Sequence, residues 1–185
     1  MEAKIRELLP EIAWIKSPEI QKVVIDCYVD ALKTGGWDPE DMAKIPFTLL
    51  IPDCPFSYKD HVQGVTRMAY AAMNEFNKIY SPIDAKYTMD NDVLVAGALL
   101  HDVGKLIEYE KVNGETVKSQ IGKDLRHPFS GTGVAMRNNC PSQIAHCIAV
   151  HAKEGDGTLR SPEAVLINKA DFMMFEGVKA FLGMK

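Results

Sequence analysis

DVLVAGALLHDVGK, residues 92–105, begins as an apolar run and closes on two polar side chains in succession, His101 and Asp102. Val93, Leu94, Val95, Ala96, Ala98, Leu99 and Leu100 leave no polar face on a helix. A helix apolar nearly all round is normally buried in the middle of a bundle. A His–Asp pair at its end is costly to bury unless it is paired or bound to metal. Taken alone, the dipeptide fits a C-terminal capping histidine beside a solvated aspartate equally well.

The flanking sequence extends the helical reading. Residues Tyr58 to Tyr80 place Val62, Val65, Met68, Ala69, Ala72, Met73 and Phe76 at helical spacing. Helical patterns return from Pro128 to Arg137, from Pro141 to Ala152 and from Ser161 through Met173. Asn113-Gly114, between two short β-prone runs, predicts a type I′ hairpin spanning residues 108–118. Ser17-Pro18 opens a helix to Leu32, ended by Gly35-Gly36, and Asp38-Pro39-Glu40-Asp41 starts a shorter one. Three prolines between Pro46 and Pro55 make that segment an extended connector. The expected class is all-α: a helical bundle with one small β-hairpin. Residues 1–57 are expected as a helical extension packed on a core of residues 58–185.

Composition narrows the class further. Of 185 residues 46% are hydrophobic and 25% charged, as in an ordinary globular protein. The net charge of −4 shows no basic excess, so no long nucleic acid is expected as partner. Cys27, Cys54, Cys140 and Cys147 form no CxxC pair and are expected as reduced thiols. No apolar run reaches 18 residues, and a cytoplasmic protein without a membrane contact is expected.

There are only five histidines, and most fall at ends or inner faces of the expected helices. His61 opens one helix, His127 opens another, His151 ends one, and Asp171 lies on the inner side of the last. Imidazole nitrogens and carboxylate oxygens are ligands for iron, manganese or zinc, and bundle metal sites draw them from several facing helices. His146 lies five positions before His151, on a different face, and is expected to be an ordinary surface or packed histidine.

The order His61, His101-Asp102, His127, His151, Asp171 resembles the HD superfamily in its six-ligand form. The local text is similar too: DHVQGVTRMA at 60–69, GALLHDVGK at 97–105, RHPFSGTGVA at 126–135, IAHCIAVHAKEGDG at 144–157 and SPEAVLINKADFMMFE at 161–176. These resemble the HD core of ribonuclease Y, of HD-type diadenosine tetraphosphate hydrolases and of HD-GYP phosphodiesterases. Two departures stand out. Many such proteins carry His-His where this chain has His151-Ala152, and the GYP signature is absent.

The resemblance implies two divalent metal ions, iron or manganese, bridged by Asp102. His61, His101 and Asp171 would complete one site, His127 and His151 the other. Such a pair activates water for attack on phosphorus. Asp102 and Lys105 are the expected catalytic residues, and Lys105 and Arg126 the expected contacts to a small phosphorylated substrate. The expected activity is a metal-dependent phosphohydrolase acting on a small phosphoester or nucleotide. The ligand order also resembles the mixed-valent di-iron oxygenases of the superfamily, and a non-catalytic ligand-binding module is the third reading. Lys153, Glu154 and Asp156 are expected to be solvated, and Met173-Met174 to fill the core.

Overall fold

A computed structural model describes residues 1–184. Nine α-helices are described: α1 (Glu2–Leu8), α2 (Pro18–Gly35), α3 (Tyr58–Tyr80), α4 (Asn91–Leu100), α5 (Lys105–Glu108), α6 (Gln120–Asp124), α7 (His127–Arg137), α8 (Ser142–Val150) and α9 (Pro162–Phe181). Two strands, β1 (Tyr109–Val112) and β2 (Glu115–Lys118), pair antiparallel between α5 and α6. Asn113 and Gly114 join them with φ of 53° and 89°, as a type I′ turn requires. The all-α class with one hairpin thus holds.

Local chemistry sets the helix ends. Ser17 accepts from the Ile20 N–H to start α2, and Gly36, at φ 72°, stops it in the left-handed region. Ser57 and Asp60 form a capping box at the head of α3. Asp90 accepts from the Asp92 and Val93 N–H groups before α4, and Ser161 from Ala164 before α9.

Helix α4 runs through the middle of the bundle. It packs against α2, α3, α8 and α9, and every residue from Leu94 to Leu100 is buried. Burying each large aliphatic side chain there contributes about 1.5–3 kcal/mol, so the apolar circumference is what centres this helix. Residues from the first third of the chain share the same core: Ile5, Leu9, Ile12 and Tyr28 cluster with Val95 and Leu99. The Tyr28 hydroxyl donates to the Leu99 carbonyl, and Trp37 Nε1 donates to Leu106 O at 2.9 Å. Asp92 accepts from the backbone N–H groups of Lys16 and Ser17 at 2.7 and 2.8 Å.

The proline-rich connector is more closed than its sequence suggests. Pro46 pairs with Ser57, the Phe47 N–H donates to Phe56 O, and the Tyr58 N–H donates to Ile45 O. The segment is therefore a strap pinned at its base, and it carries Phe47 inward. Helices α1, α5 and α6 have seven residues or fewer. Pieces this short have no periodicity of their own and form through tertiary contacts. Met173 departs from expectation, because it is 56% exposed; only Met174 packs on the core. No described helix is long and apolar enough to cross a membrane.

Candidate metal centre

His101 and Asp102 occupy the turn between α4 and α5, where both are buried. The last carbonyls of a helix lack intrahelical partners. His101 Nδ1 donates to one of them, Ala98 O, at 2.6 Å. His151, just past α8, does the same to Ile148 O at 2.8 Å. A carbonyl only accepts, so Nδ1 carries the proton in both rings and the Nε2 lone pair points away from the helix. His127, the first residue of α7, is fixed differently. Glu108 Oε2 accepts from its Nδ1 at 2.8 Å and from its backbone N–H at 2.9 Å. His61, in the first turn of α3, stacks on Phe47 with ring centroids 4.6 Å apart.

These orientations make the Nε2 atoms converge in pairs. His61 Nε2 and His101 Nε2 stand 3.3 Å apart, and so do those of His127 and His151. Asp102 lies between the pairs. Its Oδ2 is 3.2 Å from His61 Nε2 and 3.3 Å from His101 Nε2. Its Oδ1 is 3.2 Å from His127 Nε2 and 3.6 Å from His151 Nε2. Asp171, from α9, reaches His61 Nε2 with Oδ1 at 3.1 Å. All six sequence-predicted residues therefore meet in one place. Two groups of three have the spacing to hold a metal ion: His61 with His101 and Asp102, and Asp102 with His127 and His151.

The donor set fits a cation. Ligand atoms held about 2.1 Å from a metal stand about 3.0–3.4 Å apart in octahedral and tetrahedral shells, and most of the separations above fall in that interval. Two buried Nε2 lone pairs facing one another repel unless a proton or a cation lies between them. Asp102 Oδ2 is buried and accepts no hydrogen bond, although Lys105 Nζ stands 2.7 Å away as an ion-pair partner. A buried oxygen left this way is costly in a native protein unless a further ligand completes it.

The electrostatics agree. Burial opposes charge on Asp102, yet the Lys105 ammonium and the His101 ring hold its carboxyl well below the usual range. Burial likewise works against Asp171, and its contact with His61 overrides that and lowers it. His61 is pushed down by burial, but Asp102 and Asp171 outweigh this and raise it, so without a metal a proton serves there. His127 is lowered, chiefly by burial.

Lys105 is committed inside the protein. Its Nζ donates to Phe47 O at 2.7 Å as well as pairing with Asp102, which ties the strap to the centre. An ammonium has three donors and Phe47 O takes one, so Lys105 keeps donor capacity for the cavity that it also lines. Gly104 is required by close packing. A Cβ there would lie 2.1 Å from His127 O and 2.6 Å from Gly131 N, both backbone atoms of α7. This contact seats Asp102 against His127.

The centre opens into a cavity of about 240 Å³ between the strap, the hairpin, α7 and α9. Phe47, Leu49, Tyr109, Phe172 and Phe175 form its walls. Arg126 lies at the mouth, half exposed, 3.4 Å from Glu154. Lys118 and Lys153 also line it, and Ala152 sits where a longer side chain would narrow it. His146 faces elsewhere, as expected, and its Nε2 accepts from the Ser161 N–H at 3.1 Å. Glu108 and Lys118 escaped the sequence reading. Both lie in the short helix and hairpin after Lys105, which carry no ligand signature, and only the fold brings Glu108 to His127 and Lys118 to the same cavity.

A family model described as HD domain matches residues 58–172. Among curated proteins, the 3'-5' exoribonuclease YhaM of Bacillus licheniformis is 38% identical over 115 residues, 62% of this chain and 31% of that protein. The chain thus spans about a third of that relative's length. No solved structure matches the chain. The matched stretch runs from the first residue of α3 into α9 and includes all six converging side chains, and the chain belongs to the HD domain family.

Proposed function

We propose that the chain is a metal-dependent phosphohydrolase in which Asp102 would be shared by two divalent metal ions, iron or manganese. His61, His101 and Asp171 would hold one, and His127 and His151 the other. The observation that carries this reading is the single buried carboxylate that turns one oxygen to each pair of Nε2 atoms. The similarity to a 3'-5' exoribonuclease, an enzyme that breaks phosphodiesters, supports the same chemistry.

Two such ions would supply Lewis acidity at a phosphoryl oxygen and lower the pKa of a water between them. The chain's own residues do the rest. Lys105 balances the buried charge of Asp102 and offers an N–H toward a phosphate in the cavity. Glu108 fixes the tautomer and tilt of the His127 ring. Phe47, packed flat on His61, shields that ring from water and closes the cavity on the strap side. Arg126 meets substrate charge at the mouth.

The test is an anaerobic assay with manganese, using bis(p-nitrophenyl) phosphate and nucleotides as substrates. The reading expects product release by the unaltered protein and loss of at least about a hundredfold in Asp102→Ala. Turnover that requires oxygen, with no phosphoester cleaved, would replace it with the di-iron oxygenase reading.

A further inference from the structure

The net charge of −4 conceals an uneven distribution around the cavity. Its lining carries Lys105, Lys118, Arg126 and Lys153 against Glu108 and Asp171. Lys105 is buried and already paired with Asp102. The other three come from separate parts of the chain: strand β2, the residue before α7, and the turn after α8. Their own ion pairs are loose. Lys118 stands 3.4 Å from Glu108 with 42% of its side chain exposed, and Arg126 stands 3.4 Å from Glu154 with 50% exposed. Lys153 is exposed and has no carboxylate within ion-pair distance among the described residues. Three weakly held cations around one mouth are poised for an anion that arrives from solvent.

We infer that Lys118, Arg126 and Lys153 form a phosphate-binding track that seats the backbone of a single-stranded nucleic acid, with its terminal nucleotide inserted over Asp102. This rests on the hydrolase reading above and deepens it. It also revises the expectation of a small substrate, which rested on net charge rather than on where the charges lie.

Size selects a strand end. His61, His101, Asp102 and His151 are buried, and of the six converging residues only His127 and Asp171 line the cavity of about 240 Å³. That is below the roughly 300–1,000 Å³ of drug-sized ligand sites, so it admits about one nucleotide and excludes a duplex. The walls suit a base: Phe47, Tyr109, Phe172 and Phe175 give aromatic surface, and stacking on such surface tolerates any base. A mononucleotide could fill the cavity and use some of these cations, so dependence of affinity on length is what separates it from a strand. A polymer with repeating phosphates can meet all three.

The experiment measures binding of fluorescently labelled phosphorothioate oligothymidylates of one, two, four and eight nucleotides to metal-loaded protein, by anisotropy at several salt concentrations. Affinity should rise with length to about four nucleotides and then level off. The logarithm of the affinity should fall with that of salt at a slope of about −2, from three phosphates at about −0.7 each. The triple variant Lys118→Ala/Arg126→Ala/Lys153→Ala should bind the octamer at least tenfold more weakly, with a slope near zero, at unchanged metal content and melting temperature. The control Lys22→Ala/Lys33→Ala/Lys78→Ala, on exposed faces of α2 and α3, should bind like the unaltered protein. Affinity independent of length, equal binding of a blunt duplex, or an unchanged slope in the rim variant would overturn the track. Cleavage of bis(p-nitrophenyl) phosphate by the unaltered protein reports the hydrolase reading separately, so failure of one is distinguishable from failure of the other.

Discussion

Glu108 touches no proposed metal, yet its replacement should change metal binding at one half of the centre only. Its Oε2 accepts two hydrogen bonds from His127, at 2.8 Å from Nδ1 and 2.9 Å from the backbone N–H, in a buried setting. Burial opposes its charge, and the His127 contacts overcome that and keep the carboxyl below its ordinary range. Glu108→Gln can keep the shape but loses the charge, and charge-assisted hydrogen bonds are roughly twice as strong as neutral ones. Glu108→Ala removes both bonds and frees the imidazole to turn. Loss of a carboxylate partner behind a ligating histidine costs about 10–100-fold in metal affinity, or about 1.4–2.7 kcal/mol. We expect the lower end for Glu108→Gln and the upper end for Glu108→Ala. Calorimetric titration of chelated protein with manganese should resolve two binding steps, and only the one assigned to His127 and His151 should weaken. Equal weakening of both steps, or of neither, would refute the assignment of Glu108 to His127 alone.

Two further expectations follow from the same geometry. Gly104→Ala places a methyl 2.1 Å from a backbone oxygen of α7 that cannot rotate away; at about 3 kcal/mol for overpacking it should lower the melting temperature by about 6–12 °C, read by circular dichroism. Asp102 and Asp171 have carboxyls depressed below their ordinary range, so the stability they contribute is fully present above about pH 4 and is lost as pH falls through their folded values; melting of chelated protein should show this acid limb, and Asp171→Asn should flatten it.

Much of this arrangement was legible in the sequence because it rests on strong local rules. The apolar circumference from Val93 to Leu100 dictates a central helix, and Asn113-Gly114 dictates the hairpin turn. The six converging residues were legible from their places at helix ends and inner faces and from an order that resembles the HD pattern; at His101 and His151 the structure adds a carbonyl that fixes the ring. What escaped is what tertiary packing alone creates. The strap over residues 46–57 brings the Phe47 carbonyl to Lys105, a contact 58 positions apart that no periodicity encodes. Lys153 read as an ordinary solvated lysine and Lys118 only as the end of the hairpin, because a charge carries no local mark of the cavity it borders. Met173 looked apolar enough for the core, but its neighbour Met174 occupies the inward position against Gly64.

The central claim is that Asp102 shares its two oxygens between two metal ions. Its most direct test is anomalous diffraction from crystals of the protein loaded with manganese. The account predicts two peaks per chain, about 3.5–4 Å apart, one beside His61, His101 and Asp171 and the other beside His127 and His151, with Asp102 between them. A single peak, or peaks from which Asp102 is remote, would contradict it.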